Sequence, residues 1–450
     1  MTSPSAQIGS VEAALQTRLH TDGPIRVGVV GAGACARMII GHLCSVPSIR
    51  LVGVANRTPA RAFVILRDVD GPLAVPVRTP DDVRDAVARG HAAVTDDAGL
   101  LCSAPEIEVI VEVTGSVEYG ASVVTDAIRH GKHVVLANAE LDSTIGPILK
   151  AYADDAGVVL SHTDGEEPGV AMTLLRYVQT IGLRPVAAGN LKGMIDRHRT
   201  PDTQRDFATR HGMDPAKVAS FADGTKLSME ATILANATGF RVGTRGMYGR
   251  RCTHVRDLPA LLPSAAMLGG GIVDYALGAE PHTGAFVIAF EEQPRKRQEL
   301  AYFKMGDGPF YVFYTPYHLP HVQIVSTIVR AVLLHDATVA PVGGPVCEVA
   351  ATAKRALRAG ETLDGVGGFA TYGVIENAGA VATEQLLPIG LAEGCRVVRD
   401  VPADAAITHS DVAVPEGRLC DRLREQQLRR YGSTREANAV GETQPARACR

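Results

Sequence analysis

The sequence predicts an α/β protein in which a doubly wound parallel sheet is followed by an α+β domain and a small β-rich module. Apolar, β-branched runs alternate with helical stretches up to Asp164, a rhythm typical of strand–helix–strand units in a parallel sheet. A glycine-rich turn, Gly31 to Ala36, follows the first of these runs directly. After Asp164 the alternation stops, and one helical stretch is mixed with several strand-like runs. Together these observations predict at least two large domains of different construction.

The changes of pattern divide the chain into five predicted segments. They are an N-terminal amphipathic helix (1–23), a Rossmann-type nucleotide domain (24–164), a catalytic and oligomerisation domain (165–335), a β module (340–417), and a charged helix with a disordered tail (418–450). The tail prediction rests on its polar composition, which offers too little apolar surface to offset the entropy of ordering.

Five apolar runs predict strands of the nucleotide domain in chain order. They begin near Ile25, Arg50, Glu108, His133 and Gly157. Helical patterns follow the first run and separate the third from the fourth. In the next domain a helix is expected from Val170 to Gly182, with strands at 285–290 and 308–316, while the polar stretch 192–213 should cross its surface.

Composition excludes several classes of function. The 450 residues are 46% hydrophobic and 21% charged, with a formal net charge of −4, so no basic excess points to nucleic acid or an anionic membrane. The eight cysteines lack CxxC or zinc-like spacing, which favours reduced thiols in the cytoplasm. No apolar run is long enough to span a bilayer. We therefore expect a cytoplasmic protein without nucleic-acid or membrane partners.

The glycine turn fits the dinucleotide pattern G-x-G-x-x-G/A with Gly31, Gly33 and Ala36. The first glycine permits the tight turn and the second lets the backbone approach a pyrophosphate. The small third residue allows close packing of helix on strand. A turn used only for packing is the alternative, but its place between an apolar strand and a helix favours a cofactor.

The end of the second strand indicates which dinucleotide is bound. An acid here would hydrogen-bond the ribose 2′-hydroxyl of NAD, whereas this chain has Asn56 and Arg57. An amide and a guanidinium suit a 2′-phosphate, so NADP is favoured and NAD stays open. The alternative is that Arg57 is an ordinary solvated loop residue.

Two later strands end in residues that should reach the nicotinamide. Thr114 and Gly115 follow one strand and Asn138 follows the next, and their small side chains permit close approach of the ring. Glu140 comes two residues later, where it could bind substrate hydroxyls. For the neighbouring Asp142, capping of the following helix is an equal alternative.

The second domain contains the candidates for chemistry. Lys192 and Lys226 are predicted to polarise a substrate oxygen and relay its proton, with Glu230 tuning the lysine or binding a hydroxyl. Lys226 and Glu230 stand four residues apart, so a surface ion pair is the alternative. The apolar residues around them point instead to burial, and buried charges are usually paired or functional.

Three further residues are candidates for substrate binding. Glu167 follows Glu166 at the domain junction, where a plain helix start is the competing interpretation. Asn236 lies in the same predicted helix as Glu230, and His318 follows a Pro-Tyr pair. A lone histidine is more often structural. The sequence does not indicate whether a metal is needed.

The first domain resembles a known family. The stretches EVTGSVEYGA and GKHVVLANAELD are similar to the NAD-binding domain of homoserine dehydrogenases, although that family carries a lysine where this chain has Ala139 followed by Glu140. A closer resemblance, from about residue 8 to 431, is to the deoxyxylulose-phosphate-reductoisomerase-like (DRL) oxidoreductases. It is carried by VTDD, DGEEPG, FADGTKLSMEATILANATG, GIVDYALG and GPFYVFYTPYHL.

This resemblance implies an NADP-dependent oxidoreductase, with or without isomerisation, acting on a polyol, sugar acid or sugar phosphate, and a homodimer or homotetramer. The stretches AATAKRALRAGETLDG and RVVRDVPADAAITHSDV resemble a SAF domain, a small β-clip fold. Two alternatives remain open: a homoserine dehydrogenase, and a non-catalytic NADP-binding regulatory protein.

Overall fold

The computed structural model describes residues 11–441, with the backbone alone for residues 12 and 433–441. The first domain has the predicted alternation of strand and helix. Its elements are α1 (Val11–Thr21), β1 (Ile25–Val30), α2 (Ala34–Ser45), β2 (Ile49–Ala55), α3 (Pro59–Asp68), β3 (Ala74–Pro76), α4 (Pro80–Ala88), β4 (Ala92–Thr95), α5 (Ala98–Ser103), β5 (Val109–Glu112), α6 (Val117–Arg129), β6 (His133–Leu136), α7 (Ala139–Asp155) and β7 (Leu160–His162).

The seven strands form one parallel sheet in the order β3-β4-β2-β1-β5-β6-β7. This confirms the predicted doubly wound fold. The chain winds outward in both directions from β1, so a crevice opens beyond the carboxyl ends of β1 and β5. Apart from the partly exposed edge strand β3, the strands are buried on both faces, as helices on both sides of a parallel sheet require.

Two strands and their helices were not predicted from the sequence. β3 (Ala-Val-Pro) is partly exposed and ends in a proline, and β4 (Ala-Ala-Val-Thr) contains two alanines, so neither gives the β-branched apolar run that marks the other strands. The helix between them, α4, shows stronger local signals, because Thr79 and Asp82 form a capping box and Pro80 is the first helical residue.

The second domain is built on a mixed five-stranded sheet. Its elements are α8 (Glu167–Thr180), β8 (Arg184–Lys192), α9 (Pro201–Arg210), α10 (Pro215–Ala222), α11 (Thr225–Thr238), β9 (Arg250–Arg251), α12 (Leu258–Leu261), α13 (Ser264–Leu268), β10 (Ile272–Leu277), β11 (Ala285–Phe290), α14 (Pro294–Tyr302), β12 (Phe310–Thr315) and α15 (Pro320–Leu334). The strand order is β12-β11-β8-β10-β9. One face of this sheet packs in a core with α8 and α11.

The last helix of this domain returns to the first domain. Ile324 and Ile328 of α15 are fully buried in the core formed by β1 and α2, and Val11 and Leu15 of α1 pack against the same core. By packing, α15 is therefore part of the nucleotide domain, although the predicted boundary places it in the segment 165–335. It packs beside α2 on one face of the parallel sheet and so fixes the second domain to the first.

The C-terminal module is β-rich and shares its core with the second domain. It comprises β13 (Cys347–Ala353), β14 (Thr371–Asn377), α16 (Ala378–Thr383), β15 (Arg396–Val397) and β16 (Val412–Ala413), followed by α17 (Leu419–Gly441). Val349 and Ile375 of the module lie in one apolar cluster with Met229 and Leu234 of α11. The module is thus packed directly against the helix that bears Lys226 and Glu230. Its assignment as a SAF domain stays a prediction.

The charged C-terminal helix is longer than predicted. Its backbone is helical as far as Gly441, nine residues into the polar tail (433–450) that is predicted to be disordered, because Arg435, Glu436 and Ala437 are favourable helix formers. The remaining residues of that predicted tail, 442–450, lie outside the described chain. Among the described helices, none is long and apolar enough to cross a membrane.

A buried ion pair fastens α17 to the module and generates a stability prediction. Arg424 makes two hydrogen bonds to Glu348, at 2.7 and 2.8 Å, and both side chains are at least 90% buried. Arg424→Ala would leave Glu348 buried and unpaired, so we expect a loss of about 3–5 kcal/mol in the free energy of unfolding. Arg429→Ala removes an exposed pair with Glu425 on the same helix and should cost at most about 1 kcal/mol. Urea denaturation compares them, and equal losses would contradict the assignment.

Candidate functional site

The glycine turn has the shape that a dinucleotide needs. Gly31 has φ +125°, and a Cβ there would press on the backbone of Val113 at 3.0 Å. Gly33 is the N-cap of α2, where no side chain caps the helix and no acid lies in the first turn. A Cβ on Gly33 would meet no atom within 4 Å, and Ala36 is fully buried. The free amides at this helix start therefore face open space suited to a pyrophosphate.

Asn56 and Arg57 follow β2 at the same edge of the sheet. The Asn56 amide donates to the Thr58 carbonyl at 2.9 Å, and Arg57 is exposed. Within the described residues Arg57 pairs with no carboxylate, which leaves its guanidinium available to a ligand. This placement agrees with the predicted role at the adenosine ribose but does not choose between NAD and NADP.

A buried carboxyl group, missed in the sequence, shapes the other two cofactor loops. Glu112 is fully buried and accepts hydrogen bonds from the backbone N–H and the hydroxyl of Thr114. Its second oxygen accepts from the Asn138 side chain at 2.7 Å, and Asn138 also caps α7. The predicted side chains of Thr114 and Asn138 are thus occupied in holding these loops. Gly115, at φ +65°, continues the first of them.

Facing these loops is a group of nine ionisable residues, here called the charge cluster. Its members come from the start of α7 (Glu140, Asp142), the end of β7 and the start of α8 (His162, Glu166, Glu167), the end of β8 (Lys192), α10 (Lys217) and α11 (Lys226, Glu230). Burial raises the pKa of Cys35, in the glycine turn, to about 11, with a further rise from Glu166 and opposing effects of Lys226 and Lys217. The turn therefore lies close to the cluster.

Two lysines flank one buried carboxyl at the centre of the cluster. Lys192 Nζ lies 2.7 Å from Glu167 and 3.5 Å from Glu230. Lys226 Nζ lies 3.2 Å from Glu166 and 3.9 Å from the other oxygen of Glu230. Lys226 and Glu230 therefore lie within ion-pair distance of each other, as the alternative interpretation of their spacing expects. The pair is buried, however, and does not lie on the surface.

Glu230 is the carboxyl group of the cluster with the highest affinity for a proton. Its side chain is 3% exposed and accepts a hydrogen bond from Asn190 at 2.8 Å. Burial, followed by repulsion from Glu167, raises the pKa of Glu230 to about 8 although both lysines oppose the rise. A group with this pKa can give or take a proton near neutral pH.

The two lysines remain charged. Burial lowers the pKa of Lys192, but Glu167 and Glu230 more than offset this, so its pKa is raised. Burial also lowers the pKa of Lys226, but Glu166 and Glu140 outweigh this effect, so its pKa is raised as well. Conversely, despite burial, Lys192 and then His318 lower the pKa of Glu167 to about 2. Both ammonium groups are therefore hydrogen-bond donors and not bases.

His162 extends the cluster into the interior. It is fully buried, and its two ring nitrogens lie 3.1 Å from Asp142 and 2.7 Å from Glu166. Burial alone would lower its pKa, but Glu166 and Asp142 raise the pKa of His162 to about 9. The resulting imidazolium forms an ion pair with the Glu166 carboxylate, and the same carboxylate pairs with the Lys226 ammonium group. Capping had been the alternative for Asp142; it lies in the first turn of α7 but faces the histidine.

The remaining predicted residues fall into two groups. His318 Nε2 lies 3.7 Å from Glu167 and therefore borders the cluster, as does Glu140, 3.6 Å from Lys217. Asn236, in contrast, is a wrong prediction. Its side-chain oxygen accepts from the backbone N–H groups of Val346 and Cys347, because it lies on the face of α11 that packs against the module. It anchors that module and does not reach the cluster.

Several members of the site were not selected from the sequence. Glu166 was considered a helix start, while His162, Asn190 and Lys217 were not singled out at all. His162 ends an apolar strand and Asn190 interrupts one, and a polar residue in a buried strand is a usable signal. Lys217 had no local signal, since α10 reaches the cleft only through tertiary packing. In the described part of the chain, no group of three His, Cys, Asp or Glu side chains is arranged for a metal ion.

A crevice whose shape suits a dinucleotide thus lies beside a buried cluster of acids and lysines at the junction of two domains. Two family models match consecutive parts of the chain: residues 28–159 match the NAD-binding domain of homoserine dehydrogenase, and residues 165–324 match the catalytic domain of oxidoreductase DRL. Over these residues the chain is similar to the two families that its resemblance indicates.

Individual relatives agree over part of their length. The homoserine dehydrogenase of Corynebacterium glutamicum is 35% identical over 217 residues, 45% of this chain and 47% of that protein. That of Methylobacillus glycogenes is 33% identical over 118 residues, 26% of each. The chain thus spans less than half the length of these curated relatives.

Solved structures resemble the chain more distantly. A homoserine dehydrogenase from Thiobacillus denitrificans is 20% identical and has a TM-score of 0.39, over 69% of this chain and 74% of that one. The myo-inositol dehydrogenase of Lactobacillus casei, in complex with NAD(H) and myo-inositol, is 13% identical with a TM-score of 0.40, over 72% and 89% of the two chains.

The open space at Gly33 yields a test of the nucleotide site. Gly33→Ala adds a methyl group that meets no protein atom but occupies the position where a pyrophosphate would approach the α2 amides. We expect NADPH affinity to fall about tenfold or more while the melting temperature stays unchanged. Gly379→Ala, also at an open position, is the control and should bind NADPH normally. Fluorescence titration measures both, and unaltered binding by Gly33→Ala would refute the site.

Proposed function

We propose that the protein is an NADP-dependent oxidoreductase that transfers a hydride between the nicotinamide and a carbonyl or secondary alcohol carbon of a small polyhydroxylated substrate. The observation that carries this proposal is Glu230, a carboxyl group with a pKa of about 8 between two cationic lysines. The two lysines can stabilise the negative charge that develops on the substrate oxygen, and Glu230 can supply the proton that this oxygen takes up.

The residues of the charge cluster have different roles in the proposed reaction. A nicotinamide bound at the carboxyl edge of the sheet supplies the hydride, or accepts it in the reverse direction. Lys192 and Lys226 donate hydrogen bonds to the carbonyl oxygen, and so stabilise the negative charge that develops as the C=O π pair moves onto it. The Glu230 carboxyl then gives its proton to that oxygen and becomes a carboxylate. Asn190 holds the Glu230 side chain in place.

The same cations allow a related reaction. If a shift of the carbon skeleton precedes reduction, Lys192 and Lys226 would stabilise the enediolate-like transition state on the same oxygens. The resemblance to the deoxyxylulose-phosphate-reductoisomerase-like oxidoreductases, with the match of residues 165–324 to the catalytic domain of oxidoreductase DRL, supports keeping this isomerising reaction within the proposal. Analysis of the carbon skeleton of the product distinguishes the two reactions.

The names of the relatives favour a second candidate, oxidation of homoserine. A panel assay at 340 nm should therefore contain homoserine beside polyols, sugar acids and sugar phosphates, with both NADP and NAD. NADP-dependent turnover of a polyhydroxylated compound is expected. Turnover of homoserine alone would replace the proposal with homoserine dehydrogenase, and tight NADPH binding without any turnover would favour a regulatory protein.

Glu230 should make the rates of carbonyl reduction and of alcohol oxidation depend on pH in opposite ways. Because its pKa is raised to about 8, it is protonated below pH 8 and can act as an acid there. Carbonyl reduction should be constant below pH 8 and fall tenfold per unit above it, whereas alcohol oxidation should rise up to pH 8. Glu230→Gln should lower kcat about 10²–10⁴-fold and remove this dependence. A dependence unchanged in Glu230→Gln would exclude Glu230 as the proton donor.

Cofactor preference is tested at Arg57. We expect NADP to be preferred, since Arg57 is an exposed cation at the ribose edge without a described carboxylate partner. Arg57→Glu should weaken NADPH binding about tenfold to hundredfold, because it removes a charge-assisted hydrogen bond and adds repulsion. NADH binding should change little. Equal losses for both cofactors would show that Arg57 does not recognise the 2′-phosphate.

The quaternary structure and location of the protein are also proposals. We expect a homodimer or homotetramer in the cytoplasm, with a small polyol, sugar acid or sugar phosphate as substrate. Light scattering coupled to size-exclusion chromatography measures the mass of the assembly. A monomeric mass would contradict the oligomer.

A further inference from the structure

Lys217 crosses the cleft between the two domains. It belongs to α10 of the second domain, yet its ammonium group lies 3.6 Å from Glu140 of α7. A Cβ on Gly115 would collide with the Lys217 Nζ atom. The ammonium group therefore rests against the loop after β5, at the edge where the reacting end of a dinucleotide is expected.

This lysine differs from the other two in its partners. Lys192 and Lys226 each donate a hydrogen bond to a carboxylate, at 2.7 and 3.2 Å, and are 22% and 15% exposed. Lys217 is 44% exposed, and within the described residues the one carboxylate at ion-pair distance, that of Glu140 at 3.6 Å, is too far away for a hydrogen bond. Among the three lysines of the cluster it is therefore the one whose ammonium group makes no hydrogen bond to a described carboxylate, so its donors are available to a ligand.

The helix that bears Lys217, α10, is anchored at both of its ends. Asp214 caps its start through the backbone N–H groups of Ala216 and Lys217. At its end, the buried Lys354 ammonium of the C-terminal module donates to the Asp223 carboxylate and to the carbonyls of Arg199 and Gly368. All three ammonium hydrogens of Lys354 can thus be satisfied. The module positions α10, so Lys217 projects from a fixed support and not from a loose surface helix.

The charge balance of the cluster permits an anion to enter. With Glu230 protonated, four carboxylates remain, on Glu140, Asp142, Glu166 and Glu167. Four cations, Lys192, Lys217, Lys226 and the His162 imidazolium, match them, so the formal net charge is zero. An incoming oxyanion would therefore meet no net repulsion and could take the place of Glu140 beside Lys217.

We infer that Lys217 binds an oxyanion of the substrate, a carboxylate or a phosphate. This inference rests on the proposed function and narrows its substrate class to sugar acids and sugar phosphates. In this role the C-terminal module contributes to substrate binding by holding α10. A neutral polyol would leave the Lys217 donors unused and bind more weakly.

The test uses inorganic phosphate and glycolate as probes of full-length protein saturated with NADP, so that the pyrophosphate site is already filled. Isothermal titration should show one anion site per chain for at least one probe. Lys217→Gln should weaken that binding about tenfold. Lys296→Gln is the matched control, since Lys296 is also 44% exposed and pairs with a single carboxylate, and it should bind as the wild type does. Preference for phosphate indicates a sugar phosphate, and preference for glycolate a sugar acid.

Three results would overturn the inference. They are no anion binding to the wild type, equal binding by wild type and Lys217→Gln, and a loss of NADP affinity in Lys217→Gln with anion binding retained. The last would assign Lys217 to the cofactor. Binding of NADP is measured separately beforehand. Its failure in the wild type would refute the proposed function itself, together with this inference, whereas normal NADP binding with any of the three results refutes the inference alone.

Discussion

The placement of Glu230 between Lys192 and Lys226 is the interaction on which the proposed chemistry depends. Burial makes an isolated charge of either sign costly, so the lysines require nearby carboxylates and the carboxylates require the lysines. Glu166 and Glu167 satisfy the lysines at 3.2 and 2.7 Å. Glu230 is then the surplus acid, which desolvation and repulsion by Glu167 drive towards the neutral form. Glu230 therefore keeps its proton near neutral pH, and the proposed reaction transfers this proton to the substrate oxygen.

The topology of the chain assembles this cluster. β7 ends at the carboxyl edge of the parallel sheet, and the chain enters α8 within five residues, so His162, Glu166 and Glu167 lie beside the cofactor crevice. β8 and α11 bring their lysines to the same point from the second domain. The C-terminal module packs on α11 and pins the turn before it through Lys354 and Asp223. Each of the three parts of the chain therefore supports the site.

Much of the fold followed from the sequence, because burial on both faces gives the parallel strands continuous apolar runs and the glycine turn marks the crevice. Lys192, Lys226 and Glu230 were also predictable, since charged residues within an apolar stretch are costly unless paired. Asn236 is likewise a polar residue in an apolar stretch, but it anchors the module, because the sequence does not show which neighbour covers a given face of α11. Lys217 could not be found, since its partner Glu140 is distant in the chain, whereas His162, a polar residue at the end of a buried strand, gave a signal that could have been used.

The protonation of Glu230 is the most direct test of this account. Carbon-13 NMR of protein with labelled glutamate carboxyl groups, with the Glu230 signal assigned from its absence in Glu230→Gln, follows its titration in the resting protein. The account predicts a midpoint near pH 8, moving towards lower pH in Glu167→Gln as repulsion is removed. A midpoint at or below the ordinary glutamate value of about 4.3 would show that Glu230 is a simple ion-pair partner and contradict its role as the proton donor.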